Sequence, residues 1–131
     1  MNALRNLVLP SLALLSVQPA FATCEFETID GVRSGDYAFS VTTDPAQVSV
    51  GEHFTLHLQI CEKGKPLSGD IGVDAIMPAH RHGMNYAPTV TRVGPGRFAA
   101  QGMFLHMPGH WQLIIDLRAI DKAPLVYDFN L

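Results

Sequence analysis

From His53 to Ile60 the chain alternates without a break: Phe54, Leu56, Leu58 and Ile60 are apolar, while His53, Thr55, His57 and Gln59 are polar. Side chains of an extended strand point to opposite faces with a period of two, so the four apolar residues share one face. A helix would scatter them around its circumference. Trp111, Leu113, Ile115 and Leu117 repeat the pattern opposite Gln112, Asp116 and Arg118. No stretch after residue 22 has a helical period, and turn residues break the apolar runs at regular intervals, as in Gly94-Pro95-Gly96 and Glu62-Lys63-Gly64-Lys65-Pro66. The pattern predicts an all-β antiparallel sandwich of about seven strands. These are read at Tyr37–Thr43, His53–Cys61, Asp70–Met77, Pro88–Val93, Arg97–Leu105, Trp111–Arg118 and Leu125–Asn130.

The first 22 residues read differently. Arg5 precedes an apolar run from Leu7 to Val17, and Ala20-Phe21-Ala22 has the small-x-small form of a cleavage site. That is the layout of a cleavable signal peptide over residues 1–22, leaving one domain over residues 23–131. The expected location is the periplasm, with no membrane span in the mature chain. Two cysteines, Cys24 and Cys61, then most simply form one disulfide. Thr23 directly before Cys24 departs from a lipoprotein signal. The formal net charge of −3 becomes more negative once Arg5 is removed, and no basic run appears, which argues against nucleic acid and anionic membranes as partners.

The chemistry of the chain is concentrated in two tetrads of one make, Met77-Pro78-Ala79-His80 and Met107-Pro108-Gly109-His110. Proline at the second place of a β-turn brings the first and fourth residues within roughly 7 Å between Cα atoms, so each tetrad can present a thioether beside an imidazole. The first runs on into Arg81-His82-Gly83-Met84, and His106 precedes the second. If successive strands run up and down, the loop at 78–87, the loop at 106–110 and His53 fall at one end of the sandwich. Cys24 and Cys61 fall at the other.

Soft sulfur with imidazole favours copper, Cu(I) above all. Neither window holds a carboxylate for calcium or magnesium, and a structural zinc site wants four Cys or His ligands. The expected ligands are His80, His82, Met84, Met107 and His110, with Met77 as a further one. Against this, Met77 ends an alternating run that points it into the core, and Met103 and Met107 are suitable packing residues. His53 and His57 lie on the polar side of their strand, and Arg81 adds a charge that opposes a cation. No nucleophile elbow, phosphate loop or catalytic cysteine signature is present, so the chain is not expected to be an enzyme.

The order Val50-Gly51-Glu52, Gly64-Lys65-Pro66-Leu67, the M-P-A-H-R-H-G-M stretch at 77–84, Pro88, Gly96-Arg97-Phe98 and Met107-Pro108-Gly109 with Trp111 resembles the YtkA-like family. These are small exported β-sandwich domains akin to the periplasmic part of FixH-type proteins. The resemblance implies an immunoglobulin-like sandwich and a tie to copper handling, through a carrier or accessory factor that meets a periplasmic or membrane-bound partner protein. The competing expectation is a metal-free interaction module whose loop end docks a partner. FixH-type proteins keep a membrane helix, whereas this chain has only the leader.

Overall fold

The computed structural model describes Cys24, residues 32–119 and residues 121–131. The leader read over residues 1–22 lies outside the described residues. No helix among the described residues is long and apolar enough to cross a membrane.

Among the described residues, ten strands form two antiparallel sheets: β1 (Val32–Ser34), β2 (Tyr37–Asp44), β3 (His53–Glu62), β4 (Lys65–Pro66), β5 (Gly72–Met77), β6 (His82–Gly83), β7 (Thr89–Gly94), β8 (Arg97–Phe104), β9 (His110–Asp116) and β10 (Leu125–Asn130). The seven longer ones match the strands read from sequence to within two residues at either end. The three short ones have too few residues to show a period. One sheet runs β1-β2-β3-β8-β7, with β4 on β3, and the other runs β10-β9-β5-β6. The chain changes sheet before β5, before β7 and before β9. That order reproduces the A-B-E-D and G-F-C sheets of an immunoglobulin sandwich, with β6 added beside β5.

The alternating residues line the interior as their period requires. Phe54, Leu56, Leu58 and Ile60 on β3 face Trp111, Leu113, Ile115 and Leu117 from the other sheet, and none is more than 4% exposed. On β8 the parity changes midway. Phe98 and Ala100 point inward, yet so do Met103 and Leu105. Gly102 is the reason: at φ +84° it is an extra residue opposite the Phe54–Thr55 step of β3, a bulge that only glycine adopts cheaply. Gly96 marks the other tight place. Its φ is +63°, and a Cβ there would lie 2.5 Å from the Ile60 carbonyl oxygen, where backbone cannot yield.

The crossing from β4 to β5 is held by a single cation. Arg92 on β7 donates from Nη1 to the Leu67 carbonyl at 3.0 Å and from Nη2 to that of Ser68 at 2.9 Å, and it also reaches the Gly69 carbonyl. Its guanidinium lies 4.6 Å from the centroid of the Phe98 ring. Hydrogen bonds from a charged donor contribute ~1.5–3 kcal/mol each at most, and less at an exposed site such as this. Arg92→Met, which keeps the apolar stem, is expected to lower the unfolding free energy by about 1–2 kcal/mol in urea titrations. A change below about 0.5 kcal/mol, the usual scatter of surface substitutions, would show that the loop holds itself.

Cys24 and Cys61 form a disulfide. Cys61 sits at the end of β3 remote from His53, so the cross-link lies at the opposite end of the sandwich from the His/Met loops.

Candidate metal-binding rim

The first tetrad is the turn its proline predicts. The His80 N–H donates to the Met77 carbonyl at 3.1 Å and the Arg81 N–H to that of Pro78 at 3.3 Å. Arg81 closes the hairpin at φ +54°, a left-handed conformation that a non-glycine residue rarely takes. The chain then returns as β6, with His82 paired to Met77 and Gly83 to Ile76. Cross-strand partners share a face, so His82 stands on the inner side of its sheet beside the buried Met77, at the open rim of the sandwich.

The second tetrad is not a turn of that kind. The Met107 carbonyl accepts the indole N–H of Trp111 at 3.0 Å, and Gly109 exchanges two 3.1 Å hydrogen bonds with Leu131, which carries the β9–β10 ladder one step further. Gly109, at φ +126°, also makes room for Met77, whose Cε would lie 2.8 Å from a Cβ built there. The two tetrads do meet, through this contact.

Four rings gather where they meet. The His80 and His82 centroids are 5.7 Å apart, those of His82 and His106 5.0 Å, and each of His82 and His106 lies 5.7 Å from Trp111. His80 is exposed, His82 and His106 are half-buried, and Trp111 is fully enclosed beneath them. In the tautomer that donates from Nδ1 to the Gly83 carbonyl at 3.3 Å, His82 keeps a free lone pair on Nε2. Ligating imidazoles are commonly oriented by such a bond from the other nitrogen. Among the described residues, the buried His106 Nδ1 has no hydrogen-bond partner. Polar atoms so placed are rare, because an unsatisfied buried group costs ~1–3 kcal/mol.

The other expected ligands are placed elsewhere. Met84 belongs to the core, and its sulfur accepts the Phe104 N–H at 3.3 Å. His110 begins β9 on the outer face, where its Nε2 lies 2.7 Å from Asp128 Oδ1. The hydrogen bond from His110, then that from Gln112, holds the Asp128 carboxyl below the usual range. Met77 is buried beside His82, and Met107 is half-buried against the core. His106 was absent from the ligands expected from sequence. Its position directly before a Met-Pro pair was the available signal, but the direction of its ring was not legible there. Among the described residues, no three His, Cys, Asp or Glu side chains form a ready-made metal cage.

The two sheets, their strand order and their enclosed core define an immunoglobulin-like sandwich domain with a histidine-rich rim. The YtkA-like family profile matches residues 32–116, and the chain belongs to that family. Among solved structures, a crystal structure of the Lin-41 filamin domain is similar, at 19% identity with a TM-score of 0.44, covering 69% of this chain and 89% of that one. No curated protein matches this chain.

Proposed function

We propose that this protein is an exported, non-catalytic copper carrier or accessory factor that takes the ion, as cargo, at the rim formed by His80, His82 and His106. The observation that carries this reading is the buried, unpartnered Nδ1 of His106, 5.0 Å between ring centroids from an imidazole whose own Nε2 is free. Nitrogens ~2 Å from a shared ion leave two ring centroids roughly 4.5–6 Å apart, so these rings need little movement to share one. Thioether sulfur at hand in Met77 and Met107 favours Cu(I) over harder ions. Met84 joins this set only by giving up the Phe104 N–H, and His110 stands on the outer face of β9, on the other side of the sheet from these rings. Export is supported by the Cys24–Cys61 disulfide, which persists in oxidising compartments.

Trp111 is the chain's single tryptophan and touches both central histidines, so its fluorescence reports on the rim directly. Titration of the protein with Cu(I) against a chromophoric chelator is expected to show one ion held per chain and a matching change in Trp111 emission. The double variant His82→Ala/His106→Ala should lose affinity by ~100-fold or more, whereas His110→Ala should stay within about threefold. Full affinity in the double variant would remove these ligands from the proposal. The metal-free interaction module gains support from exposed Tyr86 and Val50. Failure of the wild-type chain to compete for copper at all would favour it.

A further inference from the structure

Among the described residues, the edge of β5 beside the rim is left open, and the cause is local. The Met84 N–H donates to the Ala75 carbonyl at 2.8 Å, continuing the β5–β6 ladder by one residue. The return bond, from the Ala75 N–H to Met84, is missing. That N–H instead donates to the carboxylate of Asp74 at 2.7 Å. With the ladder cut, the chain leaves β5 at Met84 and crosses to β7 in the other sheet. β9 covers the far side of β5 from Gly72 to Ile76, whereas β6 covers only Ile76 and Met77 on the near side. The Ala75 carbonyl faces that near side, so by the period of two the N–H and C=O of Val73 face it as well.

The gap between this edge and the departing chain is a groove of about 540 Å³. Met84, Tyr86, Pro88 and Ile114 give it apolar walls, and Tyr86 is 52% exposed. Its charges are Asp74, Asp116 and Arg118, of which the last two pair with each other at 3.8 Å. Among the described residues Asp74 has no cationic partner. A free strand edge binds an extended segment through main-chain hydrogen bonds, while flanking pockets and charges select its side chains.

We propose that this groove is a strand-addition site for an extended segment of a partner protein in which apolar residues alternate with Lys or Arg. The segment pairs with Val73, lays its apolar side chains against Tyr86 and Pro88, and sets a basic side chain against Asp74. The inference is independent of copper and does not use the histidine rim.

The test uses the metal-free protein, labelled with ¹⁵N, and two synthetic hexapeptides, one of alternating Lys and Val and one of alternating Glu and Val. The Lys/Val peptide is expected to give saturable shifts at the amides of Val73, Asp74 and Tyr86 and to slow hydrogen exchange at Val73. Asp74→Lys should weaken that peptide at least tenfold and bring in the Glu/Val peptide. The spectrum of the unbound variant shows whether the fold is retained, and Asp74→Asn, which keeps an acceptor for the Ala75 N–H, should weaken the Lys/Val peptide without admitting the acidic one. No saturable shift in the groove, or equal binding of both peptides by the wild type, would overturn the proposal. So would shifts of the same amides with protein concentration alone, which would make a second copy the occupant.

Discussion

Replacing Trp111 with alanine is expected to lower the unfolding free energy by about 3–5 kcal/mol, the usual cost of emptying a buried indole site. Trp111 has no exposure, it continues the inward row of β9, and its N–H is the partner of the Met107 carbonyl. Three losses therefore coincide: apolar burial, close packing and a part-buried hydrogen bond. Domains of this size have only ~5–15 kcal/mol in hand, so the variant should be visibly destabilised in far-UV circular dichroism melts. Trp111→Phe separates the contributions. It retains most of the packing but leaves the Met107 carbonyl unpaired, and its expected cost is about 1–3 kcal/mol. Because His82 and His106 rest on the indole, both variants should also loosen the rim. A loss below about 1 kcal/mol in Trp111→Ala would mean that the rim is not built on the core.

Reduction of the Cys24–Cys61 bond is the second large effect. The cysteines are 37 residues apart in sequence, and closing a loop of that length restricts the unfolded chain by ~3–4 kcal/mol in the chain-entropy account. The urea midpoint of the oxidised protein should fall accordingly on reduction, and Cys24→Ala should reproduce the fall without reductant. The proposed copper affinity of the rim should be unchanged at temperatures where the reduced chain stays folded, since the bond lies at the far end of β3. An unaltered midpoint would show that the segment carrying Cys24 adds nothing to stability. A loss of copper affinity in the folded, reduced protein would place the cysteines, not the histidines, at the metal.

The seven long strands and their inward residues were legible because a period of two is a property of the backbone, and it holds wherever a strand has one buried face. The meeting of the two loops was legible for a related reason. Antiparallel strands reverse direction at each step, so even with three changes of sheet the 77–84 and 106–110 segments end up together. Met84 shows where that reasoning stopped. Nothing in the spacing of M-P-A-H-R-H-G-M tells that its last residue turns into the core, because the turn follows Asp74 taking the Ala75 N–H in the paired strand, outside the motif.

The ligand set illustrates the same division. His80, His82, Met107 and His110 belong to similar motifs, and composition cannot rank them. The register does: His82 is the cross-strand partner of inward-facing Met77, while His110 starts β9 on the outer parity beside Asp128. His106 came forward only when its ring was seen against Trp111 with a buried, unpaired nitrogen. By itself, then, the sequence determined the sandwich, its core rows and the end at which its paired His and Met motifs collect, since those follow from periodicity and strand direction. The tertiary structure decided which of those His and Met residues share a face, where the parity resets at Gly102 and which edge stays open. Each of these hangs on hydrogen bonds and packing between residues distant in the chain, and local pattern carries no record of them.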